Sequence, residues 1–284
     1  MYKLNCCVAV VSASVPLILA GAASGEIVGL KTVKKFVDPA EIAADEFISG
    51  ITSLLVVTVY AEFTPGDAAA SVLAAGGSAA LQMPLEINVV DGTFFQHPFG
   101  NILTPSATLG NMPGINTLRY DSFVTIGRKL DDDPIHGVDA TQIIGLDSWT
   151  STQLTGSDEV VWFVAGFPPQ GDPGSAPDNP PDEVLVAQFT VANPGPTADV
   201  SGTMFVFARH TNAEGVVEEF FLAVVVPPVC LADLNGDGSV NVPDLLALLA
   251  AWGTEPVGPP DLDGDGIVGR PDLSALLVAW GPCS

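Results

Sequence analysis

One acidic pattern is written twice near the C-terminus: Asp233-Leu-Asn-Gly-Asp-Gly-Ser-Val-Asn-Val-Pro-Asp244, then Asp261-Leu-Asp-Gly-Asp-Gly-Ile-Val-Gly-Arg-Pro-Asp272. Positions 1, 3 and 5 carry oxygen ligands in both copies, Asp233, Asn235 and Asp237 in the first and Asp261, Asp263 and Asp265 in the second. Gly238 and Gly266 follow at position 6, where the chain must turn sharply. Position 7 offers a backbone carbonyl from Ser239 or Ile267, Asn241 at position 9 acts through a water, and Asp244 and Asp272 close the loops. That is the ligand order of an EF-hand loop, and it predicts two calcium ions. A plain solvated turn also explains Asp-x-Asp-Gly, since Asp and Gly are turn residues. Duplication in one register favours the cation.

The repeat extends past the loops. The same spacing of 28 residues relates Leu245 to Leu273, Leu248 to Leu276, Leu249 to Leu277 and Trp252 to Trp280. Apolar residues at i, i+3, i+4 and i+7 predict one apolar face on a short helix after each loop. Pro243 and Pro271 suit a first helical turn, and Gly253 and Gly281 stand where a helix C-terminus favours positive φ. The segments preceding the loops, Val229-Cys-Leu-Ala and Val257-Gly-Pro-Pro, cannot form an entering helix. Each unit is loop then helix.

Two tandem loop-helix units of this kind resemble a dockerin, the calcium-dependent module that plugs secreted proteins into cohesin domains. The resemblance covers residues 230–284. It implies calcium binding and a cohesin-like partner. The pattern departs from cellulosomal dockerins at loop positions 10 and 11, where Val242-Pro243 and Arg270-Pro271 replace small hydroxyl residues.

The first 24 residues read as a secretory signal: Lys3 is followed by an apolar run from Val8 to Ala20 and by small residues. Its run is too short for a confident transmembrane helix, so no stable membrane span is expected after cleavage. Cys6 and Cys7 fall inside that segment. Cys230 and Cys283 remain, at either end of the repeat, and in an oxidising compartment they are expected to form a disulfide. A pseudo-twofold pairing of the two units would bring these ends together.

Composition agrees with secretion into a cation-rich medium, and an extracellular or cell-surface location is expected. The formal net charge is −24, which repels nucleic acid and anionic membranes.

The fold class expected is mainly β: a large β-sandwich domain over 25–226, a Pro-rich spacer at 227–229, and a small α-helical dockerin-like calcium module over 230–284. Strand-like runs are Leu54–Phe63, Leu85–Val90, Tyr120–Ile126, Val160–Val164, Val184–Val191, Val200–Arg209 and Val216–Val226, rich in Val, Phe and Thr. Pro39 to Phe47 is the best helix candidate in this part. Residues 168–181 (PPQGDPGSAPDNPP) should form an exposed irregular excursion. The runs Asp91–Phe99 and Tyr120–Gly127 resemble those of a group of secreted bacterial proteins that often end in dockerin-like repeats, which implies an extracellular β-rich domain and no particular activity.

Catalytic patterns are scarce. His97, His136 and His210 stand singly, without paired ligand spacing, and there is no Gly-x-Ser-x-Gly elbow. Glu62, Glu86, Asp121, Glu183 and Glu218-Glu219 leave glycoside hydrolysis open, but no spacing singles out a pair. The run Asp131-Asp132-Asp133 with Asp139 reads as a solvated turn or a further calcium loop. Trp149, Trp162, Tyr60 and Tyr120 could stack on sugars, and Trp149, in a polar stretch, is the best surface candidate.

The function expected is a secreted, calcium-binding, non-catalytic assembly or adhesion protein tethered through its tail. One alternative is a dockerin-borne carbohydrate-active enzyme or glycan-binding module acting on polysaccharide. The other is a self-assembling filament or coat subunit, in which a strand such as Leu54 to Tyr60 would pair with a neighbour's sheet edge.

Overall fold

The computed structural model describes residues 27–283 apart from 66–69, 101–102, 104–113, 129–131, 134–136, 139, 147, 157–158, 166–168, 176–178, 196–197, 212–215, 227–229, 236–238 and 256–259. The expected signal at 1–24 with Cys6 and Cys7, the expected spacer at 227–229, Asp131, His136, Asp139 and the ligand candidate Asp237 lie outside the described residues.

The chain is mainly β, in two antiparallel sheets arranged like a β-sandwich. One sheet holds β1 (Ile27–Phe36), β2 (Leu54–Phe63), β5 (Thr93–Phe94), β6 (Phe123–Val124) and β13 (Glu183–Ala192). Its order is β1-β2-β13-β5, with β6 also on β13. The other holds β3 (Ser71–Ser78), β4 (Glu86–Val90), β9 (Thr141–Ile144), β10 (Ser148–Trp149), β11 (Gln153–Thr155), β12 (Glu159–Val164), β14 (Asp199–Thr211) and β15 (Val217–Val226). Its order is β10-β11-β4-β14-β3-β12-β9, and β15 pairs with β14. A small ribbon joins β7 (Asp132–Asp133) to β8 (Gly137–Val138).

The two sheets share one buried cluster. Val57 and Val59 of β2 and Val186 and Phe189 of β13 meet Val160 and Trp162 of β12 and Met204 and Val206 of β14. Trp162 is fully buried and its Nε1 donates to Val186 O at 3.1 Å, so one indole both fills the core and crosses between the sheets. On β3 the residues Ala74-Ala75-Gly76-Gly77 give little propensity signal. They are small because of their surroundings: a Cβ on Gly76 would stand 1.9 Å from Val160 O, and one on Gly77 would stand 2.1 Å from Leu85 N.

Four sequence expectations are revised. The helix expected over 39–47 is α1 (Pro39–Ala43) only, capped by Asp38, whose side chain accepts from Ala40 N at 2.8 Å. It stops because the Asp45 carboxylate turns inward to accept from Thr117 N and Thr117 Oγ1, both at 2.8 Å. The strand expected over 120–126 shrinks to β6, after a 3-10 turn at Leu118–Tyr120. Side chains hold that segment where a ladder would otherwise do so: Gln188 Nε2 donates to Asp121 O at 2.9 Å, and Thr190 N donates to Ser122 Oγ at 2.9 Å.

The 168–181 stretch is anchored rather than free on the surface. Gln170 and Asn179 are both buried; Gln170 Nε2 donates to Ile126 O at 2.6 Å, and Asn179 Oδ1 accepts from Leu185 N at 3.0 Å. Finally, Leu54 to Tyr60 lies in β2, between β1 and β13, so both of its edges are occupied and it cannot extend a neighbour's sheet.

Candidate metal centre

The C-terminal segment is two loops and two helices, α2 (Val242–Ala250) and α3 (Arg270–Val278), interlocked by short pairings. β16 (Ser239–Val240) pairs with β17 (Gly281–Pro282), placing Val240 of the first loop opposite Gly281 after the second helix. The reciprocal contact joins the second loop to the end of the first helix: Gly253 N donates to Val268 O at 2.8 Å, and Val268 N donates to Thr254 O at 3.0 Å. Val240 and Val268 are both buried. Each loop is thus closed by the tail of the other unit, which explains why the pattern occurs in duplicate.

That exchange brings the ends together. Cys230 and Cys283 form a disulfide with Cα atoms 5.7 Å apart. Cys283 Sγ lies 3.8 Å from Asp233 Oδ2, so the bridge sits beside the first residue of the first loop.

The second loop is built by its own carboxylates. Asp261 Oδ1 accepts from Gly264 N at 2.9 Å and Oδ2 from Gly266 N at 3.0 Å. Asp263 Oδ1 accepts from Asp265 N at 3.1 Å, and Asp265 Oδ1 from Ile267 N at 2.9 Å. These bonds curl the chain so that one oxygen from each of Asp261, Asp263 and Asp265 falls within 4.8 Å of the others. Three carboxylates at that spacing repel one another in the absence of a cation. Burial pushes the Asp261 carboxyl up to about 6, opposed by the Gly266 and Gly264 N–H groups and reinforced by the charges of Asp272 and Asp263. Burial likewise raises Asp263. An all-oxygen donor set with excess negative charge suits a hard divalent cation.

The acids at position 12 fasten the loops. Asp272 Oδ1 accepts from Leu262 N at 2.7 Å and its Oδ2 from Gly269 N at 2.6 Å. Asp244 repeats this with Leu234 N at 2.8 Å and Asn241 N at 2.8 Å. Both residues are fully buried, so each joins the start of its loop to the first turn of its helix. Asn241 Nδ2 also donates to Ser239 O at 3.2 Å, while Ile267 at position 7 of the second loop exposes its side chain.

The helix faces are buried only in part. Leu248 and Leu276 are fully buried, but Leu249, Trp252, Leu277 and Trp280 are 47, 43, 53 and 45% exposed. A nine-residue helix with one helical neighbour can cover only a narrow stripe, and Trp252 and Trp280 lie beyond the helix ends. The excess apolar surface recurs at the same 28-residue spacing.

No family model, curated protein or solved structure matches this chain.

Elsewhere the sequence candidates are not gathered into one site. Trp162 and Tyr60 are core residues, and Trp149 is half-buried, packed edge-on against Phe94 at 5.6 Å. Tyr120 donates its hydroxyl to Glu41 at 2.8 Å. The exposed aromatic pair is Phe47 with Phe99, 4.8 Å apart, and propensity gave no hint that these two would meet. Asp121 is buried and its Oδ1 accepts from His97 N at 2.7 Å, a structural role. Lys31 Nζ reaches Glu183 Oε1 at 2.6 Å, next to Glu62 on the facing strand. Glu86 is exposed on β4, and His210 Nε2 lies 3.6 Å from Glu218 Oε2, with Glu219 on the same strand.

A cavity of about 660 Å³ lies on the second sheet, with Leu73, Val161, Phe163, Phe205 and Phe207 in its walls. Among the described lining residues Glu159 is the acid, hydrogen-bonded by Ser78 Oγ at 2.7 Å.

Proposed function

We propose that the chain is a secreted, calcium-binding, non-catalytic assembly or adhesion protein, in which a β-sandwich domain is tethered through a dockerin-like tail. The observation that carries the reading is the convergence of Asp261, Asp263 and Asp265, at loop positions 1, 3 and 5, on a point their own charges make unfavourable without a cation. Asp233 and Asn235 hold the equivalent places in the first loop. Calcium would supply the charge that these oxygens lack and fix the loop ends on which α2 and α3 begin. The side chains that would hold it are Asp233, Asn235 and Asp237 in one loop and Asp261, Asp263 and Asp265 in the other, with Ser239 and Ile267 offering carbonyls, Asn241 a water-mediated contact, and Asp244 and Asp272 closing.

The partner surface favoured is the duplicated apolar pair, Leu249 with Trp252 and Leu277 with Trp280. Their exposure supports a protein partner, cohesin-like or a second copy, because bulky apolar groups clustered at a surface mark interaction sites. Among the described residues no helix is long and apolar enough to cross a membrane.

The test is calcium titration of the purified protein with calorimetry and light scattering on one sample. Two binding events without growth in mass support a tail that awaits a foreign partner. Growth into larger particles would move self-assembly ahead, and absence of binding would remove the calcium reading.

A further inference from the structure

Both loops face the first sheet. Lys34 of β1 donates from Nζ to Cys230 O, and the carboxylates of Asp233 and Asp244 act electrostatically on its partly buried ammonium. The edge strand therefore places a cation beside the first loop's opening and closing acids. On the second loop a Cβ at Gly264 would come within 2.2 Å of Ser53 Oγ and 3.3 Å of Phe36 Cδ1, so this loop lies directly against the end of β1 and the start of β2. A Cβ at Gly266 would lie 4.0 Å from Pro39 Cγ, at the first residue of α1.

Apolar packing continues across this boundary. Leu231, Val240, Leu248, Leu262, Val268 and Leu276 belong to the same buried cluster as Phe36 and Val57 of the sheet. A tail on a free tether would have a core of its own. This one is a continuation of the sheet's core, and its contact surface is made largely of the segments whose shape a bound cation would determine.

We infer that the tail is docked on its own sandwich through the two loops, so that calcium binding fastens the C-terminal segment to strand β1 and stabilises the sheet as well as the tail. The inference rests on the calcium reading of the loops. Its physical basis is linkage: a ligand that binds the docked loop geometry better than the undocked one shifts the docking equilibrium by its differential affinity. Lys34 and Ser53 are the positioning residues on the sheet side. The docked arrangement leaves Leu249, Trp252, Leu277 and Trp280 facing outward, which keeps them available to a partner.

The experiment uses the full chain, with calcium or EGTA, and reads amide hydrogen exchange by mass spectrometry beside calorimetric calcium binding. At calcium near 100 times its dissociation constant, amides of 27–36 and 50–54 that exchange through undocking should slow about 100-fold. In Lys34→Met/Ser53→Leu, calcium should still protect 233–244 and 261–272, while its effect on 27–36 should be lost. Calcium binding by the unaltered chain with protection confined to 230–283 would overturn the docking and leave the calcium reading intact. No binding would overturn both.

Discussion

His97 Nε2 lies 3.4 Å from Asp45 Oδ2, with both side chains withdrawn from solvent. His97 Nδ1 accepts from Phe99 N at 3.1 Å, and Asp45 Oδ1 accepts from Phe47 N at 3.1 Å, so the pair ties the segments 45–47 and 97–99, which have no ladder between them. Burial raises the Asp45 carboxyl, but the N–H and hydroxyl of Thr117, the Phe47 N–H and the nearby His97 together hold it below the usual carboxylate range.

Because the folded-state pKa of Asp45 is depressed, its contribution to stability is present above the unfolded value of about 4 and is lost as pH falls through the folded value. Asp45→Asn should therefore lower stability at pH 7 by about 1–3 kcal/mol and flatten the loss seen on acidification. Urea unfolding at pH 7 and pH 3 for both proteins measures this. Equal acid sensitivity in the two would show that Asp45 is not the responsible group.

The disulfide closes the C-terminal segment with a sequence separation of 53 residues. Replacing Cys230 and Cys283 by Ser should cost about 2–4 kcal/mol. The loss should appear first as faster amide exchange over 230–283, and a reducing agent should reproduce it in the unaltered chain.

Gly76→Ala should be among the most damaging single-methyl additions in the chain. Its φ is +153°, and the added Cβ would meet Val160 O at 1.9 Å, backbone that cannot rotate away. A loss of ~3 kcal/mol or more is expected from strain and the forced separation of β3 from β12. Thermal denaturation is the readout, and a change under 1 kcal/mol would contradict the close approach.

Substituting Leu249, Trp252, Leu277 and Trp280 by Ser should leave the melting temperature nearly unchanged, because each is already about half exposed. The same variant should be more soluble and lose any calcium-dependent association seen in sedimentation. A large drop in stability would instead make these side chains part of the fold.

The C-terminal helices were legible because they depend on local order. Acid or amide side chains at alternate positions, a turn glycine, a proline in the first helical turn and an acid at position 12 lie within 12 residues, so the turn and the helix after it could be read from spacing alone. The strands of β2, β12, β13 and β14 were legible for a related reason, since β-branched and aromatic residues declare themselves wherever a sheet is buried.

Long-range contact decided the rest. Strand β3 is built from Ala and Gly, whose small size has meaning only opposite Val160 and Leu85. Gln170 and Asn179 look like turn residues until the structure shows them buried against Ile126 and Leu185. Asp45 looks like the last turn of a helix until Thr117, far along the chain, claims its carboxylate. The repeat itself determined two loops, two helices and two paired cysteines. That Val240 closes against Gly281 and Val268 against Gly253, that Lys34 of β1 reaches Cys230 before the first loop, and that the second loop rests on Phe36 and Ser53, follows from shape and burial between distant segments, which no local spacing encodes.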